Sequence, residues 1–474
     1  MFALNNKIKS FLDEVCVHIN CKAVHSDVRE ELCEHINELI NENISNGYME
    51  EQALDLAISA MGSTDEIGRK LNRQHKPQTE WSLLILTVII ASIGGIVMFS
   101  GNKGPNGLAV DLSHYIMFIT AGTCTMIALY YFDYTRLQKL AIPLYISGIL
   151  LLVITMGAGI TANGVKKWLP IGSFSISVPE LSCLLFVIAF AGFLEKYRGK
   201  SASNIIKLIV QGGFSVFLFT IMHSTSTAFV FVTACGVVLI TAILKKHFSG
   251  SIKTQLLWLA AGCSVPALLC LYKVMAAPYI LDRLLAFLPW KNSDPSGIGY
   301  QQYVANNWLS VSNWFGKTEA TYQGYSLNMS LPAATDEYIL VNVIATLGWV
   351  VGIALVMLIG IFIARMFMNT IKIKNHYGFY LSMSVCAILS SQFLFSILIN
   401  FNLFPFMSIN MPLVSYGGTG YLASMAYVGI ILSVRRRDNL ISNKKPVPNT
   451  PSPKSRISFS DGRLIIDLNR WRQG

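Results

Sequence analysis

The chain has 474 residues, of which 53% are hydrophobic and 13% charged, with a mean hydropathy of +0.49. Soluble domains carry about 25% charged residues, so this composition excludes an ordinary soluble enzyme and points to a membrane protein. The formal net charge of +11 implies no nucleic-acid partner, because its lysines and arginines gather in short connectors between oily segments.

Residues 1–75 lack a run of about 20 apolar residues, the length needed to span a bilayer, and are dense in charge. No signal peptide is expected there. "HSDVREELCEHINELINENI" sets Val28, Leu32, Ile36, Leu39 and Ile40 on one stripe at helical spacing. A second helix is expected between Gly47 and Gly62, and Ser63 with Glu66 forms a capping-box pattern that opens a third. This stretch resembles the helical prefix domains that precede membrane segments in several bacterial proteins, and reads as a docking or regulatory head. Cys16, His18, Cys21, Cys33 and His35 are candidate zinc ligands by type, but their spacing fits no standard site. Cysteines on the buried face of a small helical domain are the favoured reading. The nine cysteines form no CxxC pair and no disulfide framework.

From Trp81 the pattern is that of an all-α polytopic membrane protein. Ten spans are expected near 82–100, 114–132, 139–158, 179–194, 204–222, 226–244, 255–274, 337–363, 378–400 and 412–434. Basic residues mark alternate connectors: Arg136 and Lys139, Lys196 to Lys200, Lys245 to Lys253, Lys372 and Lys374, then Arg435 to Arg437. This bias places both termini in the cytoplasm and turns the connectors at 101–113, 159–178, 275–336 and 401–411 outward. The connector between spans seven and eight has about 60 residues, and connections of that length are usually functional or disordered. Its aromatics predict order. Residues 438–474, rich in Pro, Ser and Lys, read as a cytoplasmic and mostly disordered tail. The end of that tail, "RLIIDLNRWRQG", reads as a short strand or an amphipathic membrane contact.

Ionisable groups near membrane spans are costly and therefore mark functional candidates. One cluster is "ANGVKKWLPIGSFSISVPELSCLLF", with Lys166, Lys167, Trp168 and Glu180. Two outward lysines break the charge rule, and either phosphate binding or lipid headgroups would explain them. The large loop supplies Arg283, Asp294, Tyr300, Gln301, Asp336 and Glu337. By spacing alone Asp294, before a proline, is as much a turn former as a functional carboxylate. A third stretch surrounds Pro405, Pro412, Ser415, Tyr416, Gly417, Gly418 and Gly420. It reads as a broken or re-entrant segment, which survives at membrane depth only against protein or a wet cavity. Close helix packing through small residues is the alternative.

Four stretches in order, "NGVKKWLPIGSFSISVPEL", "DPSGIGYQQ", "LPAATDEYI" and "PLVSYGGTGYLASMAYVGIILSVRRR", resemble the shape, elongation, division and sporulation (SEDS) family, the FtsW/RodA/SpoVE group. The resemblance covers about residues 82–437 and leaves the head outside it. It implies ten spans, a large extracellular loop between spans seven and eight, and peptidoglycan glycosyltransfer from lipid II on the outer face of the cell membrane. The catalytic aspartate of the family falls on Asp294. The resemblance further implies a divalent cation (Mg or Mn) and a class B penicillin-binding transpeptidase as partner. Lys166, Lys167 and Arg283 are the candidates for neutralising the pyrophosphate. Several family positions differ here: the usual Gln-Pro-Ser-Glu reads Ser177-Val178-Pro179-Glu180, the lysine three residues on is Cys183, and an acidic pair has become Ala345 and Thr346. A lipid II flippase and a catalytically silent scaffold or regulator are the alternative functions.

Overall fold

The computed structural model describes residues 2–20, 25–74, 79–101, 112–162, 165–172, 174–276, 297, 299–325, 327–438, 457–460 and 463–466. The chain divides into two units, one of residues 1–73 with 441–474 and one of residues 74–440.

The N-terminal part of the first unit consists of α1 (Phe2–Val17), α2 (His25–Ser45), α3 (Glu50–Met61) and α4 (Thr64–Gln74). The expected stripe on α2 buries Val28, Ile36 and Ile40, with Leu32 and Leu39 half-buried beside them. Gly62 ends α3 at φ +93°, a left-handed conformation that glycine adopts without a Cβ penalty. Ser63 Oγ then accepts the Glu66 amide at 3.2 Å, the first half of the expected capping box. Gly68 lets α4 approach α1, since a Cβ there would lie 2.6 Å from that of His18. Cys16 is buried, while His18 faces Asp65 at 3.3 Å and His35 faces Glu38 at 3.6 Å. No metal-holding group of His, Cys, Asp or Glu occurs among the described residues, and Cys21 lies outside them. In the tail, β4 (Ile457–Ser460) pairs antiparallel with β5 (Arg463–Ile466), and β5 lies in the stretch read as a short strand or a membrane contact.

The second unit is a bundle of long apolar helices. Eight are long and apolar enough to cross a membrane among the described residues. They are α5 (Trp81–Gly101), α6 (Leu112–Tyr131), α8 (Ala141–Ala158), α9 (Val178–Lys196), α10 (Asn204–Ile221), α11 (Thr225–Leu244), α16 (Trp349–Ile371) and α17 (His376–Asn400). The short α7 (Thr135–Lys139) lies between α6 and α8. Helices α12 (Ile252–Ala276) and α18 (Gly418–Arg437) stand where the seventh and tenth spans were expected. The chain is an integral membrane protein, and its unpaired apolar side chains face lipid, as backbone-satisfied helices permit. Helices α9 and α17 are central, with 78% and 67% of their spanning windows buried, against 11% for α6. Helix α18 is buried along nearly its whole length. It presses on α6 through glycines, where a Cβ on Gly122 would lie 3.0 Å from the Tyr421 ring and one on Gly429 2.8 Å from Met126 O.

Two expectations need correction. The eighth span was expected over 337–363, but the apolar run is two helices, α15 (Ile339–Leu347) and α16, broken at Gly348 with φ +97°. A Cβ on Gly348 would lie 2.5 Å from Trp314 O, so the crossing of the large loop fixes the break. Hydropathy is continuous across that break and cannot reveal it. The tenth span was expected over 412–434, but helix begins only at Gly418, after turns at 412–415. The connector after α8, for which no local structure was expected, folds into an antiparallel sheet, β1 (Ile160–Ala162), β2 (Val165–Ile171) and β3 (Phe174–Ser177), with Trp168 opposite Ser177. The large loop contributes α13 (Tyr300–Val311) and α14 (Leu327–Ser330).

Candidate functional site

At the end of the bundle that carries the sheet, three chain-distant segments meet: the start of α9, the turns at 331–338, and the irregular stretch 401–417. Ser177, which leads β3 into α9, donates its amide to Thr419 Oγ1 at 2.9 Å. Glu180 therefore sits in the first turn of α9 against the start of α18. Its position suits the positive end of the helix dipole.

The 331–338 turns are held by the polar groups of the 400–416 segment. Asn400 accepts the Leu340 and Val341 amides at 3.1 Å each and donates to Glu337 O at 2.8 Å. It thus satisfies the free amides that open α15, a service usually rendered by a residue just before the helix. Ser415 Oγ donates to Asp336 O at 2.7 Å and accepts the Met411 amide at 2.9 Å, while the Tyr416 amide donates to Thr335 O at 3.0 Å. Ser408 Oγ donates to Glu337 Oε1. These bonds fix the adjacent carboxyls Asp336 and Glu337 beside a cleft, next to Gly417 and Ser408.

The glycines of the "YGGTG" turn set the width of that cleft. A Cβ on Gly417 would lie 2.5 Å from Asn410 Nδ2 and 3.9 Å from Asp336 Oδ1. One on Gly420 would lie 3.3 Å from Glu180 Oε2 and 3.5 Å from Asn410 Nδ2. Both carboxylates therefore approach the same bare backbone, with the Asn410 amide between them. The cleft has a cavity volume of about 50 Å3 and is lined by Glu180, Ser226, Gln392, Ser408, Asn410, Ser415, Gly417 and Tyr427.

Burial and the neighbouring Glu337 carboxylate push Asp336 up from 3.8 to about 6, against the Thr335 hydroxyl and Lys167, which pull it down. Lys167 acts electrostatically on both Glu180 and Asp336, and its ammonium lies 4.6 Å from the Trp168 ring centroid. Lys166, by contrast, donates to Gly157 O at 2.8 Å. The two adjacent lysines, equivalent in sequence, are separated by the alternation of β2.

Of the expected site residues, Glu180, Ser415 and Gly417 line the cleft, Asp336 lies beside it near Gly417, and Lys167 acts on both carboxylates. Tyr416 flanks it, its ring 5.8 Å from that of Tyr115. Gly418 admits Phe118, whose ring a Cβ would meet at 2.5 Å. Tyr300 donates to Ser330 O at 2.9 Å and Gln301 is half-buried on α13. Neither lines the cleft. Helix α13 is tied in by Asn402 Nδ2, which donates to Gln302 O at 3.0 Å. Asp294 and Arg283 lie outside the described residues. Asn400, Ser408, Asn410 and Gln392 were not singled out from sequence, because no local pattern distinguishes them from ordinary polar residues at span ends.

Comparison with known proteins then fixes the family. The FtsW/RodA/SpoVE family model, described as "Cell cycle protein", matches residues 78–440. The chain belongs to that family. It is 30% identical over 298 residues to the probable peptidoglycan glycosyltransferase FtsW of Thioalkalivibrio sulfidiphilus, covering 61% of this chain and 70% of that one. It is 24% identical over 373 residues to the stage V sporulation protein E of Bacillus subtilis, covering 76% and 98%. Its fold is similar to a chain of a solved peptidoglycan synthase complex described as coordinating polymerization and crosslinking (TM-score 0.61, 21% identity, 76% of this chain and 98% of that one). It is similar too to the crystal structure of the rod shape determining protein RodA of Thermus thermophilus (TM-score 0.52, 20% identity, 76% and 97%). The match begins after the four-helix head, which lies outside the family core.

Proposed function

We propose that this chain is a peptidoglycan glycosyltransferase that polymerises lipid II at the outer face of the cytoplasmic membrane, with both termini in the cytoplasm. It serves cell-wall synthesis for shape, division or sporulation. The observation that carries this reading is the cleft in which the Glu180 and Asp336 carboxylates flank Asn410 beneath a glycine turn, with Lys167 acting on both. The names of the family relatives agree with it.

Glycosyl transfer needs a base, a compensated leaving group and a dry, fixed geometry. The 4-hydroxyl oxygen of one sugar attacks the anomeric carbon of the other. Its proton passes to a carboxylate, and the bond to the lipid pyrophosphate breaks with its electron pair on the leaving oxygen. Asp294 is the proposed base. A single displacement of this kind inverts the anomeric centre and needs no carboxylate nucleophile. Lys167, with Lys166 and Arg283, is proposed to meet the charge that grows on the pyrophosphate.

A divalent cation fits the described residues in one way. No three-residue metal cluster occurs among them, but two carboxylates opening on one cleft suit Mg2+, which is commonly held by one or two carboxylates together with substrate phosphates. Glu180 and Asp336 would hold it. Bound there it would supply further neutralisation of the leaving group. A class B penicillin-binding transpeptidase is the proposed partner, supported by the likeness to a chain of a synthase complex.

The test is polymerisation of lipid II by the purified full chain, with Mg2+ or Mn2+, beside Asp294→Ala. A base of this kind contributes about 10²- to 10⁴-fold, so polymer is expected from the parent and none from the variant. Polymer from both removes Asp294 from the mechanism. No polymer from either overturns the glycosyltransferase reading, and a lipid-flipping assay in vesicles then separates transport from a silent scaffold.

A further inference from the structure

The cleft contains two side-chain amides that the proposed chemistry does not use. Gln392 lies on α17 about two turns before Asn400, roughly 12 Å along the helix at 1.5 Å per residue. Its Oε1 is buried without a hydrogen-bond partner among the described residues, yet the side chain lines the same cavity as Glu180 and Asn410. A buried acceptor left unpaired is costly, and one that lines a cavity is matched by whatever enters it.

The wall around Gln392 narrows the chemistry of the entrant. Two of its hydroxyls already have partners: Ser424 Oγ donates to Gly420 O at 2.7 Å, and Thr227 Oγ1 accepts from Ser224 Oγ at 3.0 Å. The rest of the wall includes Cys183, Ser226, Val230, Tyr421, Ala423 and Tyr427, and no lysine or arginine lines the cavity among the described residues. A phosphate has no described lysine or arginine to meet there, and the unpaired Gln392 Oε1 calls for a hydrogen-bond donor. A neutral group carrying a hydrogen-bond donor meets both conditions. Asn410, at the mouth, adds an amide nitrogen directed at the bare glycine turn. An unmet acceptor and an available donor in one apolar-walled cleft are complementary to a secondary amide, whose N–H and C=O point in opposite directions.

We propose that Gln392 and Asn410 form an amide-recognition subsite for the acetamido group of an N-acetylated amino sugar, with Gln392 accepting its N–H and Asn410 donating to its carbonyl. The subsite rests on the reading of the chain as a glycosyltransferase and makes these two residues determinants of specificity. They set which sugar enters, whereas Glu180, Asp336 and Lys167 act on the charged end of the substrate.

The probe is lipid II beside an analogue in which the acetamido N–H is replaced by an ester oxygen, which keeps shape and neutrality and removes the donor. A site built to hydrogen-bond a group discriminates against the analogue that lacks it. The parent protein is expected to prefer the natural lipid by about 10-fold or more in kcat/KM. Gln392→Met, which keeps the volume, is expected to bring that preference close to unity by lowering turnover of the natural lipid alone. Asn410→Ala, on the surface segment, serves as the second variant should Gln392→Met fail to fold. It is expected to weaken the natural lipid and the ester about equally, since both keep the carbonyl, and to leave the preference intact. Loss of both lipids in equal measure with Gln392→Met overturns the proposal, as does a parent that accepts the ester equally well. Binding of the two lipids to the full chain in nanodiscs, read by fluorescence anisotropy, does not depend on turnover. Should the parent make no polymer, the glycosyltransferase reading fails, and binding decides the subsite. A 10-fold preference that Gln392→Met removes supports it, and equal binding overturns it.

Discussion

The two ends of the membrane unit treat their carboxylates in opposite ways. At the end that carries the Arg cluster, four acids each lie within 4 Å of an arginine. Arg435 pairs with Glu80 at 3.2 Å, Arg437 with Asp133 at 3.4 Å and Arg198 with Glu195 at 3.4 Å. Asp438, buried, accepts the Lys374 and Asn375 amides at 2.8 and 3.4 Å and lies 3.7 Å from Arg435. The N-terminus of α17 is closed by Asn375, which accepts the Gly378 amide at 2.9 Å. At the sheet end, Glu180, Asp336 and Glu337 converge with no arginine among the described residues near them, and Lys167 alone acts on the first two. At the Arg end each of these acids has an arginine within 4 Å, although Glu195 Oε2 and Asp438 Oδ2 are buried without a hydrogen-bond partner among the described residues. An end that leaves carboxylates under-compensated in a cleft bears a cost that a bound substrate or cation relieves.

Changes at the two ends should therefore separate activity from stability. Among changes at these two ends, the largest functional effect is expected from Gly417→Ala. Its new methyl must displace the Asn410 amide, the far end of a flexible side chain, so the fold tolerates it while the cleft closes. Polymerisation is expected to fall by about 100-fold, as small displacements in a catalytic geometry do, with little change in thermal unfolding of the solubilised protein. A matching loss of melting temperature would erase the contrast.

At the opposite end, Asp438→Ala should do the reverse. Removing one member of a buried charge network costs about 3 kcal/mol, so thermal unfolding should shift markedly while the protein that remains folded keeps its specific activity. Gly94→Ala provides a comparison on the sheet side, because its Cβ would lie 2.6 Å from the Val414 backbone oxygen, which cannot swing away. It is expected to lose stability as well as activity.

A smaller effect is expected from pH. Asp336 is raised to about 6, so it is half-protonated near that value. A carboxyl raised on folding contributes stability that is complete below its unfolded value and is lost as the pH rises through about 6. If the carboxylate is the working form, activity runs the other way and climbs through the same range. Polymerisation measured from pH 5 to 8 should show that rise, and Asp336→Asn should flatten it. A profile unchanged in the variant would remove Asp336 from the site. The smallest effect is expected in the head, where Ser63→Ala removes the cap on α4 and costs about 1 kcal/mol. Circular dichroism on heating should register it while polymer yield stays constant.

Much of the architecture is legible in the sequence because it is local. Lengths of apolar runs and the bias of lysine and arginine in connectors predict helices at all ten expected places, and Gly62 with Ser63 marks a helix boundary to the residue. The motifs around Glu180, Asp336 and "SYGGTG" point to the segments that form the cleft. Hydropathy does not show the break at Gly348, since apolar residues continue on both sides and the clash that fixes it comes from Trp314. The sheet of β1 to β3 is also missed, because strands of three to seven residues with Gly and Pro at their turns read as loop. What the sequence alone determined is the class of protein, its helices and its family resemblance, all of which depend on spacing along the chain. Tertiary structure decided which residues share the cleft. Asn400 caps a helix some sixty residues upstream of it, Lys167 rather than Lys166 acts on the carboxylates, and Gln392 and Asn410 enter one cavity from different segments. Side-chain chemistry acts over a few ångströms of space, and only the packed bundle sets those distances.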